Sequence, residues 1–545
     1  MEQTSHRTTH WYKEAIFYEL YVRAFMDSDG DGIGDLRGIT QRLDYLQWLG
    51  VDCIWLLPIY PSPLKDDGYD ISDYCGIHPD YGTLDDLREL VEQVHKRGMR
   101  IILDLVINHT SDQHPWFQMA RADPNSPYRD YYVWSDTDQK YTQARVIFID
   151  SEKSNWSWDE KAGQYYWHRF YRTQPDLNYD NPRVRAEILN VMRFWLDIGI
   201  DGFRVDAVPY LFEREGTNCE NLPETHEFLR EMRAFVDREY PHCLLLCEAN
   251  QRPSDLRHYF GGDLSNSSRP GDEFHMGFNF PLMPRLFMAL KKGESEDLLK
   301  VLTSTPALPQ NCQWGVFLRC HDELTLEMVS EEERQWMWEN YAPDKQMRLN
   351  LGIRRRLAPL LDNDLRKILL AHSLLLTLPG SPFLYYGDEI GMGDRVDLAD
   401  RNGLRTPMQW DDSLYAGFST VTPFAPFPEG DFSPQKVNVA EQMRDPNSLI
   451  NQLRKMIVLR KRISIFGNGE FEWVKCDNPH LAVYWRKTQE KEVLVVNNLS
   501  DQPQKMRLPV ETLRWQDWLT KLTIRGAELT LPPFGFLWLQ PFGEQ

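Results

Sequence analysis

Three features are scarce in the sequence or absent from it: long apolar runs, paired cysteines and excess positive charge. No run approaches the roughly 18 uncharged apolar residues of a membrane-spanning helix, so we predict no such helix. The polar first residues, MEQTSHRTTHWYKEA, lack the apolar stretch of a signal peptide. The net charge of -20 argues against nucleic acid and anionic membrane as partners.

The eight cysteines form no CxxC pair, and most of them lie in apolar, strand-like runs. This spacing is not typical of a disulfide framework or of a zinc site. We therefore expect reduced thiols in the core of a cytoplasmic protein. The sequence also contains no internal repeat and no low-complexity segment.

What is present is a repeated order of apolar strand, loop and helix, in a chain of 545 residues. Strands without polar alternation indicate a parallel sheet that is covered on both faces. Eight strand candidates with intervening helices predict an α/β protein built on a (β/α)8 barrel, known as a TIM barrel. We assign the barrel to residues 1–109 and 181–464, with a charged helical insertion near residues 331–367.

Two stretches depart from this order. From residue 110 to residue 180 the composition becomes aromatic and polar, which predicts a subdomain inserted after the third strand. Most of its aromatic residues are expected to form a local core, and a few to reach a pocket. From residue 465 to residue 545 the pattern changes to short strands, which predicts a C-terminal all-β sandwich domain.

The fourth strand lies in the stretch GIDGFRVDAV, residues 199–208. Arg204 and Asp206 are two residues apart on this strand, so both side chains are on the same face. The arginine should keep the aspartate ionised, and an ionised aspartate at a strand end is a suitable covalent nucleophile. A structural ion pair in a buried parallel sheet accounts for the same two residues equally well.

Other polar residues end neighbouring strands. Glu248 follows the apolar strand LLLC, which should raise the pKa of this carboxyl and keep it protonated. His109 follows the third strand, and His321 and Asp322 follow the seventh. Strand ends converge at one mouth of a barrel. An ionised aspartate beside a protonated glutamate suits retaining glycoside chemistry.

The loop after the first strand carries alternating carboxylates that could surround a hard cation. Its predicted ligands are the side chains of Asp27, Asp29, Asp31 and Asp35 and the carbonyl of Ile33. A helix–loop–helix calcium site is excluded because the preceding segment looks like a strand and no glutamate occupies the twelfth position. An acidic turn without a cation is the alternative.

Four segments, DLVINHT, GFRVDAV, LLLCEAN and FLRCHDE, are similar in order and spacing to the four motifs of the α-amylase superfamily of glycoside hydrolases and transglycosidases. The resemblance implies that Asp206 is the nucleophile, Glu248 the general acid/base and Asp322 the transition-state stabiliser. It also implies that the loop after the first strand binds calcium. The sugar-binding residues that it implies are Asp66, Tyr69, His109, Arg204 and His321.

Further stretches, among them QPDLNYDNP and NLGIRRRLAPLL, resemble the branch of this superfamily that isomerises maltose to trehalose. The resemblance implies a disaccharide substrate, a reversible double displacement through a β-glucosyl-enzyme, and minor hydrolysis to glucose. It implies structural Ca²⁺ at one or two sites and no organic cofactor. Arg405 would lie near the entrance and help to close the pocket. The second calcium site would comprise Asn108, Asp176, Glu213 and the carbonyls of Tyr210 and Leu211.

Several alternatives stay open. An α-glucosidase or oligo-1,6-glucosidase shares the chemistry up to the glucosyl-enzyme, and a sucrose-type isomerase differs in its substrate. A non-catalytic sugar-binding relative belongs to another class, and the three intact carboxylates weigh against it. The sequence does not decide the oligomeric state, and a homo-oligomer is one of the states considered.

Overall fold

A computed structural model describes residues 10–262, 269–509 and 514–542. The first nine residues of the polar N-terminus lie outside the described residues. Within these ranges the strands, in chain order, are β1 (Phe17–Leu20), β2 (Cys53–Leu56), β3 (Arg100–Val106), β4 (Trp134–Ser135), β5 (Trp156–Asp159), β6 (Gln164–Trp167), β7 (Gly202–Asp206), β8 (Leu244–Cys247), β9 (Met276–Phe278), β10 (Gln313–Phe317), β11 (Leu324–Thr325), β12 (Arg348–Leu349), β13 (Gly352–Ile353), β14 (Ser381–Tyr385), β15 (Glu470–Trp473), β16 (Leu481–Lys487), β17 (Glu492–Asn498), β18 (Gln504–Arg507), β19 (Arg514–Asp517), β20 (Thr523–Ile524), β21 (Glu528–Leu531) and β22 (Phe536–Phe542).

The helices of the same ranges follow the strands of the barrel and fill the connections. They are α1 (Val22–Phe25), α2 (Leu36–Leu49), α3 (Leu84–Lys96), α4 (Pro115–Ala122), α5 (Pro182–Ile198), α6 (Pro223–Glu239), α7 (Pro253–Leu256), α8 (Leu282–Lys292), α9 (Glu296–Ser304), α10 (Glu331–Tyr341), α11 (Leu357–Leu360), α12 (Leu365–Thr377), α13 (Val439–Arg444), α14 (Leu449–Arg462) and α15 (Ile465–Asn468). Among the described residues, no helix combines the length and the apolar character that a bilayer crossing requires.

Within the described ranges, eight parallel strands close into a barrel in the order β1-β14-β10-β9-β8-β7-β3-β2. This confirms the predicted (β/α)8 fold. All residues of β7 and β8 are buried, as expected for parallel strands covered by helices. Because β7 pairs with both β3 and β8, the polar residues at the ends of these strands meet at one mouth of the barrel.

One glycine permits the close pairing at the start of β7. Gly202 has a φ of 144°, and a Cβ at this position would lie 2.1 Å from the carbonyl oxygen of Leu244. Any larger residue would therefore push β7 away from β8. The glycine of the GIDGF stretch thus serves the alignment of the two strands whose ends carry Asp206 and Glu248.

Helix starts follow the capping signals of the sequence. Thr83 accepts the backbone N–H of Asp86, whose carboxylate accepts the N–H of Thr83 in return, so that α3 begins with a capping box. Ser448 accepts the backbone N–H of Asn451 at the start of α14. Threonine and serine are both favoured at the N-caps of helices.

The inserted subdomain lies between β3 and α5 and contains the described sheet β4-β6-β5. Trp156 packs edge-on against Trp167 and stacks on Tyr141, which forms a local aromatic core. Phe148 and Phe170 instead reach a cavity at the mouth of the barrel. This division between core and pocket is the one expected from the sequence.

The helix predicted across residues 331–367 is interrupted. Helix α10 ends at Tyr341, and Pro343 follows two residues later, where it cannot continue a helix. The chain then forms the hairpin β12–β13, which pairs with β11. Gly352 permits this pairing, because a Cβ there would lie 2.4 Å from the Cγ of Glu323. Charge composition alone did not reveal the hairpin.

The C-terminal domain is all-β, as predicted. Its six described strands in the order β15-β16-β17-β22-β19-β20 share an apolar core with the described pair β18-β21, to which Val483, Trp515 and Leu531 contribute. The end of the domain forms two strands, because Pro532 and Pro533 separate β21 from β22. The domain contacts the barrel through α12.

Candidate active site

Arg204 is the central residue of the site. Its side chain is only 2% exposed, and Nη1 lies 2.6 Å from a carboxylate oxygen of both Asp104 and Asp206. Its Nη2 lies 3.0 Å from Oε1 of Glu248. The three acids belong to β3, to β7 and to the end of β8, which are adjacent in the barrel. One buried guanidinium therefore connects three neighbouring strand ends.

Asp206 and Glu248 both contact Arg204 and differ in acidity. Burial raises the pKa of Glu248 to about 7, while the positive charge of Arg204 limits the increase. Burial also raises the pKa of Asp206, to about 6, against the opposing charge of Arg204. The order of the two values is the one the sequence predicted, but their separation is small because both groups are desolvated.

Asp322 is the third carboxylate of the site. Arg401 Nε and Arg405 Nη2 each lie 2.9 Å from its Oδ1, and His321 Nε2 lies 3.2 Å from its Oδ2. Burial raises the pKa of Asp322, but these positive charges outweigh burial and hold the pKa well below its usual value. Asp322 is therefore an anion throughout the neutral pH range.

His321 is held as a cation by Glu19. Burial lowers the pKa of His321, but Asp322 and Glu19 raise it to about 9. In this state Nδ1 donates to Glu19 at 2.5 Å and Nε2 donates to the hydroxyl of Tyr69 at 2.8 Å. Tyr69 in turn donates to Asp104 at 3.0 Å. Glu19 was not predicted as a site residue, although a single acid inside the apolar strand FYEL was a usable signal.

These groups surround one cavity of about 140 Å³ at the mouth of the barrel. The volume is small against the roughly 300–1,000 Å³ of ordinary ligand sites, which favours a small ligand. Its apolar lining includes Trp55 and Phe278. All of the sequence-predicted sugar-binding residues except Arg405 line the cavity: Asp66, Tyr69, His109, Arg204 and His321.

Among the described residues that line the cavity, the buried polar atoms without a hydrogen-bond partner include Nε2 of His109 and Oδ1 of Asn250. Buried polar atoms normally have partners, so an unpartnered pair beside a cavity is free for the hydroxyl groups of a ligand. Burial lowers the pKa of His109 to about 3, which keeps its imidazole neutral. Sequence analysis did not single out Asn250.

The outer wall of the cavity is made by three connections. Arg145 of the inserted subdomain lies 2.9 Å from Glu220 and 2.8 Å from Glu327, which lines the cavity. Asn250 donates to the hydroxyl of Thr325 at 3.0 Å. These contacts join the inserted subdomain to the segments after β7, β8 and β10, so that the subdomain covers the cavity.

Arg405, which was predicted to lie near the entrance, is buried and is not among the residues that line the cavity. Its side chain is 4% exposed, and its Nε donates to the carbonyl of His321 at 3.1 Å, while Nη1 contacts Asp67. Arg401, four residues earlier, lines the cavity and also lies 2.8 Å from Glu323. The expected position of Arg405 is therefore corrected: Arg405 supports Asp322 from behind, and Arg401 occupies the wall.

The loop after β1 brings together three of its four predicted carboxylates. Oxygens of Asp27, Asp29 and Asp35 lie within 4.8 Å of one another. The side chain of Asp31 instead accepts the backbone N–H of Ile33 at 2.7 Å, so the structure does not place it in this cluster. An oxygen-only cluster of this kind suits Ca²⁺.

The second predicted cation site consists of buried oxygens without partners. Among the described residues, Oδ1 of Asn108, Oδ2 of Asp176 and Oε1 of Glu213 accept no hydrogen bond. Burial raises the pKa of Asp176 to about 8 and that of Glu213 well above its usual value. Such unpartnered oxygens fit a hard cation, which would neutralise both carboxylates. Tyr210 and Leu211, whose backbone carbonyls are the other predicted ligands, lie shortly before Glu213 in the chain.

Known proteins resemble this chain over nearly its whole length. Residues 19–469 match the alpha amylase catalytic domain, and residues 471–538 match the maltogenic amylase C-terminal domain. The trehalose synthase/amylase TreS of Mycobacterium tuberculosis is 53% identical over 548 residues, which cover 97% of this chain and 90% of the relative. The trehalose synthase of Pimelobacter sp. is 51% identical over 549 residues, covering 97% and 96%.

Among solved structures, the trehalulose synthase MutB from Pseudomonas mesoacidophila is similar in its fold. It matches with a TM-score of 0.79 at 28% sequence identity, and the match covers 97% of this chain and 99% of MutB. The barrel, the inserted subdomain and the C-terminal domain therefore all have counterparts in a solved structure.

Replacing Arg204 by methionine should leave three buried carboxylates without their shared cation and cost about 3–5 kcal/mol of unfolding free energy. Without Arg204 the folded-state pKa values of these acids rise further. A group with a raised folded-state pKa stabilises at low pH and loses that contribution as pH rises, so the loss should be larger at about pH 8 than at about pH 5. Denaturant unfolding followed by tryptophan fluorescence measures both values.

The matched control is Arg88→Met, because Arg88 is 55% exposed and pairs only with the exposed Asp85. This change should cost less than about 1 kcal/mol at either pH. Equal losses for Arg204→Met at the two pH values would contradict the role assigned to the guanidinium.

Proposed function

The chain belongs to the alpha-amylase family, and we propose that it interconverts maltose and trehalose by an intramolecular isomerisation. The observation that carries this proposal is the 53% identity to a trehalose synthase over 97% of the chain. The small covered cavity that contains Asp206, Glu248 and Asp322 supports it. The substrate is a disaccharide that enters this cavity with one glucosyl unit against Asp206.

In the first half of the reaction Asp206 attacks the anomeric carbon of the glucosyl unit of maltose. Glu248 donates its proton to the departing glycosidic oxygen, and the products are a β-glucosyl ester on Asp206 and a free glucose. The order of the two pKa values supports these roles, because Asp206 is mostly ionised near neutral pH while Glu248 still retains a proton.

In the second half the freed glucose turns within the cavity. Glu248, now a carboxylate, takes the proton of the glucose anomeric hydroxyl, whose oxygen attacks the glucosyl ester and releases Asp206. Two inversions restore the α configuration and give the α,α-1,1 bond of trehalose. Water that replaces glucose at this step gives a second glucose, so exclusion of water decides between isomerase and hydrolase.

The remaining polar groups bind and stabilise. Asp322 is an anion in the cavity wall and can stabilise the positive charge that develops on the sugar ring in the transition state. His109, Asp66 and Tyr69 present polar atoms to the cavity and would take the sugar hydroxyls. The contacts of Arg145 over the cavity support retention of the freed glucose.

Product analysis tests this function. Wild-type enzyme incubated with maltose should form trehalose, and trehalose should form maltose, with glucose as the minor product in both cases. Chromatography of the sugars measures all three. The control is Asp206→Asn, which should fold but lose turnover by several decades, since an amide cannot form the ester. Glucose as the sole product from maltose would make the enzyme an α-glucosidase, and turnover of sucrose alone a sucrose-type isomerase.

The pH dependence of kcat/KM should be bell-shaped. Activity should fall below about pH 6, where Asp206 takes up a proton, and above about pH 7, where Glu248 loses one. Because the two acids interact, the limbs report the pair. An activated aryl group leaves an aryl α-glucoside without needing a proton. In Glu248→Gln, the pH profile of this release in the first turnover should therefore lose its alkaline limb. A persistent alkaline limb would assign it to another group.

We also propose that Ca²⁺ is bound at two structural sites. Asp27, Asp29 and Asp35 would hold one ion, and Asn108, Asp176 and Glu213 the other. A bound ion would neutralise these clustered carboxylates and tie the loops to the barrel; neither site contributes a group to the chemical steps.

Chelation should therefore lower the thermal-unfolding midpoint more than it lowers turnover of the protein that stays folded, and added Ca²⁺ should restore the midpoint. Metal analysis after dialysis against Ca²⁺ should find two ions per wild-type chain and one ion in either Asp29→Ala or Glu213→Gln. Less than one ion per wild-type chain would overturn both sites.

A cytoplasmic location is part of the proposal, and the spacing of the eight cysteines in the sequence, which is not typical of a disulfide framework, supports it. Assembly into a homo-oligomer stays a prediction, which sedimentation would test.

A further inference from the structure

Three consecutive arginines, Arg354, Arg355 and Arg356, follow the hairpin β12–β13. We call them the arginine triplet. None of these three arginines is among the described residues that line the catalytic cavity. All three instead contact the segment that follows β14, residues 386–405, here called the β14 segment. This segment carries Arg401 and Arg405, the two arginines that contact Asp322.

Arg354 binds backbone carbonyls of the β14 segment. Its Nη1 donates to the carbonyls of Leu398 and Asp400 at 2.7 and 2.5 Å, and Nη2 donates to that of Val396 at 3.0 Å. Its Nε donates to the carbonyl of Gln346, before the hairpin, at 2.6 Å. The flat guanidinium fork with its five N–H groups can span several carbonyls at once, which a lysine ammonium cannot reproduce.

The other two arginines hold the rest of the segment. Arg356 is buried and donates to the carbonyls of Tyr386 at 2.8 Å and Leu404 at 3.1 Å, near the two ends of the segment. Arg355 lies 2.9 Å from the carboxylate of Asp394, which also accepts the backbone N–H of Arg356. The triplet therefore contacts the β14 segment at its beginning, its middle and its end.

The middle contact is the one next to the cavity. Arg354 holds the carbonyl of Asp400, and the next residue, Arg401, lies 2.9 Å from Asp322 and 2.8 Å from Glu323. In the turn of the hairpin β12–β13, Asn350 donates to Glu323 at 3.3 Å. Arg401 is thus fixed between a carbonyl clamp and two acids of the cavity wall.

A second connection links the triplet to Asp322 itself. Arg319, at the end of β10, donates from Nε to the carbonyl of Arg355 and from Nη2 to the carbonyl of Asp322, both at 2.6 Å. The backbone of the triplet and the backbone of Asp322 are therefore held by one guanidinium. The β14 segment cannot shift from the triplet without changing the distance between Arg401 and Asp322.

We propose that Arg354 is a positioning residue that determines how much of the glucosyl-enzyme reacts with water. By holding the carbonyls of residues 396, 398 and 400 it keeps Arg401 in the cavity wall. Without this clamp Arg401 moves and water enters the cavity. The water oxygen bonds to the anomeric carbon, one water proton goes to Glu248, and Asp206 is released as a carboxylate. This inference rests on the isomerisation proposed above.

A purely structural role for Arg354 would have a different consequence. It would reduce the amount of folded enzyme and so lower the formation of trehalose and glucose in parallel. The ratio of glucose to trehalose formed from maltose does not depend on how much enzyme is folded. The ratio therefore separates positioning of the cavity wall from general stability.

The test compares Arg354→Met and Arg354→Lys with wild type, using maltose as substrate. The ratio of glucose to trehalose should rise about threefold or more in both variants. A change of roughly 0.7 kcal/mol in the difference between the barriers to hydrolysis and to isomerisation is enough for a threefold rise. First-turnover release from an activated aryl α-glucoside should stay within about twofold of wild type, because Asp206 is untouched. The control is Arg366→Met, because Arg366 is an exposed arginine of α12 that pairs with Asp364, and its replacement should leave the ratio unchanged.

A double variant tests the route through Arg401. Arg401→Lys should itself raise the ratio, and adding Arg354→Met should produce no further rise, because both changes release the same wall. If the two substitutions raise the ratio independently, so that their effects multiply in the double variant, Arg354 acts elsewhere and the inference is overturned.

The two proposals fail in different ways. Wild type that forms glucose and no trehalose would overturn the proposed function. Wild type that forms trehalose, with an unchanged ratio in the Arg354 variants, would overturn the inference alone. If Arg354→Met does not fold, Arg354→Lys decides, because its ratio must still rise.

Discussion

One buried guanidinium organises this molecule. Arg204 neutralises acids from three neighbouring strands, and without that charge the barrel mouth would contain three desolvated carboxylates in contact. The barrel in turn positions these acids, because the pairing of its strands places all three around the guanidinium of Arg204. The cost of burying charge is offset only when each charge is paired and hydrogen-bonded, so the positions of Asp104, Asp206 and Glu248 are mutually dependent.

The same alternation of charge continues outward from Arg204. Asp104 is linked through Tyr69 to His321, whose cationic form is held by Glu19 of the first strand. His321 neighbours Asp322, and Asp322 is held by Arg401 and Arg405 of the segment after the last barrel strand. The ionic network therefore connects the first, third, fourth, fifth, seventh and eighth strands of the barrel. A catalytic anion of low pKa and an acid of raised pKa can coexist in one cavity because separate parts of this network surround them.

The sequence predicted what depends on local pattern and missed what depends on contacts between distant segments. Apolar strands, capping residues such as Thr83, and acids at strand ends gave the barrel and its three carboxylates. The hairpin β12–β13 was missed because its short strands carry no periodic signal. Glu19, Arg145 and Arg401 were missed, and Arg405 was misplaced, because their partners lie in other parts of the chain. The acidity of Asp206 expected from Arg204 was overestimated, since residue spacing reveals a charge pair but not the extent of desolvation, which raises the pKa of Asp206.

The clamp of Arg354 binds main-chain oxygens only. It depends on the positions of three carbonyls in a stretch of turns and bends, from residue 396 to residue 400, and not on the identity of the side chains there. The clamp itself therefore places no requirement on the side chains of the three residues whose carbonyls it binds. A deletion or insertion of a single residue there would shift every carbonyl out of register with the guanidinium. The clamp therefore depends on the length of this stretch more than on its composition.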